Sequence, residues 1–177
     1  MKKAVFLDRD GVINEVLSKR VKFVNKLSDI YYLEKVPEAV RLLNEAEYKI
    51  FVVTNQGGVG LGYLTSSNLD RIHEKMKLDI EKQGGVIEEF SSCIHKPHEG
   101  CSCRKPEAGL LFELAEKHEI DLSQSYMVGD REPDIEAGKK AGCTTILIAD
   151  KDTEKIADYH FPSLYSAAKW ISSRKQA

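Results

Sequence analysis

Two kinds of hydrophobic pattern alternate along the chain. Short runs read as buried strands: Ala4-Val5-Phe6-Leu7, Lys49-Ile50-Phe51-Val52-Val53, Ser125-Tyr126-Met127-Val128 and Thr144-Thr145-Ile146-Leu147-Ile148. Between them apolar residues recur at helical spacing. Pro37 opens one such stretch, with Ala39, Val40, Leu42, Leu43 and Ala46 on its stripe. A second follows Thr65 or Ser66 as cap, carries Leu69, Ile72, Met76 and Ile80, and runs to about Gln83. A third opens at Pro106 with Leu110, Leu111, Leu114 and Ala115, ending near Glu119. Further helices are predicted over 133–141, stopped by Gly142, and over 163–173. Weaker signals place a strand starting at Val86-Ile87 and an extended piece near Tyr159-His160-Phe161, while residues 12–33 read as irregular.

Strands that alternate with helices, several of them apolar throughout, predict a parallel sheet covered on both faces. The fold class is α/β, a three-layer Rossmann-like arrangement, expected as a single domain over 1–177. In such sheets ligands bind beyond the carboxyl ends of the strands. Asp8, Asp10, Thr54 and Asp130 all fall at predicted strand ends, and that convergence points to a site.

Taken alone, Asp8-Arg9-Asp10-Gly11 leaves three readings open: a solvated turn, a metal site, or a nucleophile with an acid–base partner. Asp130 supplies a third carboxylate, and mutual repulsion among three calls for a divalent cation. Oxygen ligands without a histidine favour Mg²⁺ over zinc there. Thr54 and Asn55 add a hydroxyl and an amide, and Gly57-Gly58 lets backbone amides approach an anion. Arg104-Lys105 would place two cations at the start of the helix that Pro106 opens, where the dipole also attracts anions. Lys105 by itself reads as a solvated cation, so its weight comes from its neighbours. A metal, cations and free amides around an aspartate make a phosphoryl-transfer site.

Composition narrows the partners. At 42% hydrophobic and 31% charged residues, with a net charge of −2, the chain lacks the basic footprint of a nucleic-acid binder. No apolar run approaches the roughly 20 residues of a membrane span, and no signal-peptide pattern opens the sequence, so a cytoplasmic, monomeric protein is expected. Three of the four cysteines cluster as Cys93, Cys101 and Cys103, which favours a metal over a disulfide framework. With His95 they supply three thiolates and an imidazole, a zinc-ligand set that leaves no open coordination position. His98 is an alternative to His95. The set would pin the loop, about 93–103, that delivers Arg104 and Lys105 to the rim. Cys143 reads as a core residue, and His73, His118 and His160 are assigned no role.

These motifs carry a resemblance. Asp8-x-Asp10-Gly11, Thr54 after an apolar strand, Lys105, and Gly129-Asp130-x-x-x-Asp134 are similar to the four ordered motifs of the haloacid dehalogenase superfamily. Within it, Asp8-Arg9-Asp10-Gly11, Thr54-Asn55-Gln56, Cys93-x-His95…Cys101-x-Cys103-Arg104-Lys105-Pro106 and Tyr126-Met127-Val128-Gly129-Asp130 resemble the D-glycero-D-manno-heptose 1,7-bisphosphate phosphatases. The histidinol-phosphate phosphatases are close behind. The resemblance implies a capless fold and a phosphosugar substrate, with Asp8 as nucleophile and Asp10 as acid and base. It implies Mg²⁺ on Asp8, the backbone carbonyl of Asp10, and Asp130, with Asp134 steadying the cluster. It also implies a structural Zn²⁺ on Cys93, His95, Cys101 and Cys103. Thr54 and Lys105 would bind phosphate oxygens, and Asn55, Gln56, Arg104 and Arg131 would contact substrate. Other classes remain open: a nucleic-acid 3′-phosphatase, disfavoured by charge, or a zinc-stabilised module that binds without catalysis.

Overall fold

Strand β1 (Ala4–Leu7) lies at the centre of a six-stranded sheet and is wholly buried. The others are β2 (Lys49–Asn55), β3 (Glu89–Cys93), β4 (Tyr126–Gly129), β5 (Thr144–Ile148) and β6 (Tyr159–Phe161). In this computed structural model, which describes residues 1–174, the order is β3-β2-β1-β4-β5-β6 and every pairing is parallel. The last three positions of the expected 1–177 domain lie outside the described residues. The chain builds outward from β1 to one edge, then returns to β1 and builds the other half. A switch point therefore falls between β1 and β4, where open α/β sheets bind their ligands.

The helices are α1 (Val36–Glu45), the single turn α2 (Gly57–Gly60), α3 (Ser66–Glu81), α4 (Gly109–His118), α5 (Glu132–Ala141) and α6 (Leu164–Ser173). Side-chain alternation along β1 sorts them into layers. Val5 and Leu7, with Ile50, Val52, Val128 and Ile146, pack against Val40 and Leu43 of α1 and Ala167 and Ile171 of α6. Ala4 and Phe6, with Phe51, Val53 and Met127, pack against Leu111 and Leu114 of α4 and Ala137 and Ala141 of α5. Each buried aliphatic side chain contributes roughly 1.5–3 kcal/mol. A third cluster joins α3, through Leu69, Ile72 and Met76, to Val21 and Val24 of the irregular segment. That segment is tied down: Glu15 N–H donates to Tyr31 O (2.8 Å) and Leu33 N–H to Ile13 O (2.9 Å).

The expected elements are present, with two shifted starts. The third strand begins at Glu89, not at Val86-Ile87. The Asn44 side chain takes both backbone groups of Val86, accepting from its N–H (2.8 Å) and donating to its carbonyl (3.1 Å). Val86 is thereby held off the ladder, while Ile87 is buried in the core. The helix expected from Pro106 begins at Gly109. Gly109 N–H donates to Ser102 O (3.0 Å), an approach so close that an added Cβ would sit 2.3 Å from that oxygen. Arg104 and Lys105 therefore lie upstream of the helix, and its dipole is not what places them. Between Thr54 and Lys105 the described residues hold α2, α3, β3 and the cysteine loop, with no separate cap. Among the described residues, no helix is long and apolar enough to cross a membrane.

Candidate active site and cysteine–histidine cluster

Asp8 extends the β1 ladder by one residue, its N–H donating to Val128 O at 2.9 Å. The chain then turns, with Ile13 N–H on Arg9 O (2.8 Å) and Gly11 N–H on Asn14 O (2.9 Å). Asp10 thus reaches the same cavity as Asp8 by a hydrogen-bonded turn. Gly11 has φ +86°, and a Cβ built on it would fall 2.1 Å from Asp130 Oδ2. Only glycine lets the Asp130 carboxylate close over this turn. Gly129 does the same for Asp134, whose own Cβ would be 2.2 Å away from an added one.

Lys105 is 4% exposed, which overturns its reading as a solvated cation. Its Nζ donates to Asp8 Oδ1 (2.9 Å) and Val53 O (2.8 Å) and pairs with Asp134 Oδ1 at 2.6 Å. That fills the three donors of an ammonium. Burial pulls its pKa down, but Asp8 and Asp134 outweigh this and raise it. The backbone of Lys105 is clamped as well. Its N–H donates to Asn55 Oδ1 (2.9 Å), and Asn55 Nδ2 donates to its carbonyl (3.1 Å). Asn55, expected to touch substrate, is occupied in holding Lys105.

One ammonium faces three carboxylates, since oxygens of Asp8, Asp130 and Asp134 lie within 4.8 Å of one another. Burial pushes the Asp8 carboxyl up to about 7; Lys105 opposes this and Asp134 adds to it. Burial and then the charge of Asp134 raise Asp130, whose Oδ1 is buried with no partner among the described residues. Asp134 is saturated by contrast: Oδ1 meets Lys105, and Oδ2 accepts from Arg131 N–H at 3.2 Å. An orphaned carboxylate oxygen beside a second carboxylate pushed towards protonation fits an absent divalent cation. The Asp10 side chain lies outside this trio.

Asp10 is held by a different set. Arg9 Nε and Nη2 donate to its Oδ1 at 3.1 and 2.9 Å, Asn14 Nδ2 donates to the same oxygen at 3.0 Å, and Gln56 Nε2 donates to Oδ2 at 3.2 Å. Burial alone would raise Asp10, but the Arg9 charge and these hydrogen bonds hold it below the usual carboxylate range. Arg9 is 1% exposed, and its Nη1 lies 3.0 Å from His73 Nε2. Burial and then Arg9 push the His73 imidazole down to about 3, so its Nε2 accepts from Arg9. The His73 ring stacks on Phe90, centroids 4.6 Å apart. Arg9, Asn14 and His73 were not singled out in the sequence. The one available signal was that His73 sits on the buried stripe of α3 beside Leu69, Ile72 and Met76.

The cavity over these groups has a volume of about 780 Å³ and is lined by Asp8, Asp10, Asn55, Gln56, Arg104, Lys105, Asp130 and Arg131, among others. Thr54 is buried beneath it, its hydroxyl accepting from Gln56 Nε2 at 2.8 Å. Arg131 is exposed at the start of α5. The Arg104 guanidinium crosses Gly57, where an added Cβ would come within 3.2 Å of Nη1. Of Lys19, Arg20, Lys22 and Lys26, only Lys22 lines the cavity, while Arg20 pairs with Glu15.

Cys93, at the end of β3, meets His95, Cys101 and Cys103 in the loop that follows, and the four ligand atoms lie within 4.8 Å of one another. Cys93 Sγ is 3.4 Å from His95 Nδ1 and 3.6 Å from Cys101 Sγ, and His95 Nδ1 is 3.1 Å from Cys103 Sγ. Tetrahedral zinc with bonds of about 2.0–2.3 Å needs ligand separations of about 3.3–3.8 Å, close to these. All four cysteines are free thiols, and the cluster takes His95, not His98. Burial, then Cys93 and Cys101, push Cys103 up to about 12, a crowding that a bound cation would relieve.

Comparison with known proteins agrees with this geometry. The HAD-hydrolase-like family model matches residues 102–165. The D-glycero-beta-D-manno-heptose-1,7-bisphosphate 7-phosphatase of Bordetella bronchiseptica is 34% identical over 146 residues, covering 82% of this chain and 80% of that protein. The D-glycero-alpha-D-manno-heptose-1,7-bisphosphate 7-phosphatase of Campylobacter jejuni is 34% identical over 153 residues, 86% of each chain. The crystal structure of the B. bronchiseptica D,D-heptose 1,7-bisphosphate phosphatase, complexed with magnesium and phosphate, superposes with a TM-score of 0.86 at 30% identity, covering 96% of this chain and 97% of the other. The chain therefore belongs to the haloacid dehalogenase-like hydrolases and, among them, to the family of the heptose-1,7-bisphosphate 7-phosphatases.

Proposed function

We propose that the protein hydrolyses the C7 phosphate of D-glycero-D-manno-heptose 1,7-bisphosphate through a phosphorylated Asp8. The observation that carries the reaction is the division of labour between the two carboxylates facing one cavity. Asp8 Oδ1 is anchored by Lys105, leaving its other oxygen to attack phosphorus and form an acyl phosphate as the sugar alkoxide departs. Asp10, held by Arg9, Asn14 and Gln56, gives that alkoxide its proton and then takes one from the water that cleaves the acyl phosphate. In the free protein Asp10 is ionised; the negative charge of the arriving phosphate favours its protonation.

Lys105 neutralises Asp8 and Asp134 and offers its charge to the phosphate, while the Gly57-Gly58 turn lines the same cavity. Asp8, the Asp10 carbonyl and Asp130 would hold Mg²⁺, which when bound offsets the repulsion between the nucleophile and an anionic substrate. Cys93, His95, Cys101 and Cys103 would hold a structural Zn²⁺ that fixes the loop leading to Arg104 and Lys105. Arg104, Arg131 and Gln56 line the cavity where the sugar would lie.

Identity of the sugar rests on the relatives, which are named for both the alpha and the beta anomer. The test is phosphate release with Mg²⁺ from each heptose 1,7-bisphosphate anomer and from histidinol phosphate, with Asp8→Asn as control. A heptose preference in kcat/KM of about a hundredfold, roughly 2.7 kcal/mol, supports the assignment. A preference for histidinol phosphate overturns the substrate and leaves the reaction standing. Activity retained by Asp8→Asn overturns the reaction.

A further inference from the structure

We propose that His73 is a positioning residue for catalysis, acting through Arg9 on the general acid Asp10. This rests on the reading of Asp10 given above. The chain of contacts is continuous and buried. Phe90 of β3 stacks on the His73 ring, His73 Nε2 accepts from Arg9 Nη1 at 3.0 Å, and Arg9 passes two hydrogen bonds to Asp10 Oδ1. A guanidinium has five N–H donors, and a buried one without acceptors is costly. Arg9 is 1% exposed, so solvent cannot take Nη1, and His73 is the acceptor that α3 supplies.

The direction of the chain matters. Arg9 could hold Asp10 through one nitrogen and swing about that contact. With Nη1 tied to His73 the guanidinium plane is fixed, and Nε and Nη2 can both address the same carboxylate oxygen. That oxygen also takes the Asn14 amide, which leaves Oδ2 towards the cavity with only the Gln56 contact. His73 therefore selects which oxygen of Asp10 exchanges protons with the leaving group. It never touches substrate: neither His73 nor Phe90 lines the cavity.

A positioning role for the acid differs from a scaffolding role in its dependence on the leaving group. A sugar alkoxide needs a proton in the transition state, whereas a nitrophenolate leaves without one. The experiment compares His73→Phe, His73→Gln and Arg9→Lys with the wild type on the heptose bisphosphate and on p-nitrophenyl phosphate. His73→Phe keeps a ring over Phe90 and removes the acceptor. We expect it to lower kcat on the sugar phosphate by about tenfold to a hundredfold, the cost of a misplaced catalytic group, with KM unchanged. The kcat/KM on the aryl phosphate, which reports transfer to Asp8 and not the later hydrolysis that uses Asp10 as base, should be largely spared. His73→Gln, which restores an acceptor, should recover most of the loss. Arg9→Lys keeps the charge but not the two-pronged contact, and should show the same leaving-group dependence.

Equal losses in kcat/KM on both substrates would reduce His73 to a scaffold and overturn the proposal, as would full activity in His73→Phe. A rise in KM alone would make it a binding residue, also against the proposal. Should His73→Phe fail to fold, judged by thermal melting, His73→Leu, which also removes the acceptor, takes its place in the comparison. If the wild type ignores heptose bisphosphate but cleaves another alkyl phosphate, the substrate assignment fails, and that ester serves for the same comparison.

Discussion

The aspartate rim and the cysteine loop are both clusters of ligand-forming side chains, yet they are held in opposite ways. Asp8 and Asp130 project from the ends of adjacent central strands, and a buried lysine is threaded among the carboxylates. Strand pairing, glycine close approaches and Lys105 order the rim before any ion arrives. Only Cys93 of the other cluster sits on a strand; His95, Cys101 and Cys103 lie in a loop exposed to solvent over much of its length. Nothing comparable to Lys105 organises it. On the proposed reading the rim would use an ion for chemistry on a frame the chain has already built, whereas the loop would draw its order from one. The two meet at Arg104-Lys105, which follow Cys103 directly.

That contrast can be broken at its strongest point. Lys105→Met would leave Asp8 and Asp134 facing each other in a buried site. We expect a loss of about 3–5 kcal/mol in urea unfolding at pH 7, together with loss of phosphatase activity. The destabilisation should be larger in alkali and shrink as pH falls towards 7, because without Lys105, which lowers the Asp8 pKa, that carboxyl takes up its proton at a higher pH. A Lys105→Met protein as stable as wild type at pH 7 would show that the rim is not built on this ion pair.

A smaller effect should follow from emptying the loop. Cys101→Ser, or stripping with a chelator followed by Mg²⁺ alone, should remove bound zinc as read by metal analysis. It should lower kcat/KM by about tenfold to a hundredfold. The sheet should stay intact by far-ultraviolet circular dichroism. Global unfolding on zinc removal would put both clusters on the same footing.

Smallest is the pH dependence of the metal-free rim. The folded Asp8 carboxyl titrates near 7 and its unfolded counterpart near 3.8, so between those values the folded chain binds a proton that the unfolded chain does not. Stability from this group is therefore present at low pH and lost as pH rises towards about 7. On the proposed reading Mg²⁺ would take the place of that proton. Thermal melts should show Mg²⁺ raising Tm by several degrees at pH 8 and by much less at pH 5. A Mg²⁺ effect independent of pH would mean that the ion does not replace a proton on Asp8.

Much of the rim was legible because it is written at strand ends. Apolar runs locate the strands, parallel alternation with helices puts their carboxyl ends together, and Asp8, Thr54 and Asp130 follow. The cysteine cluster was legible because its ligands are close in sequence. What could not be read was anything decided by a partner far along the chain. Arg9 and His73 are 64 residues apart, and neither residue type announces the other. The burial of Lys105 depends on Asp134, delivered by the first turn of α5. Val86 has strand composition, but the side chain of Asn44 on α1 occupies its backbone, which composition does not record.

The strand order also has a consequence for synthesis. β1 leaves the ribosome first, with Asp8 and Asp10 at its end, and Lys105 follows. The neighbour on the other side of β1 is β4, and Asp130 and Asp134 emerge only after it. Until then Asp8 stands without its full complement of carboxylates, and Lys105 can meet only one of its two counter-charges. On the proposed reading, a nascent chain would lack its complete rim until β4 and the start of α5 have emerged and docked beside β1.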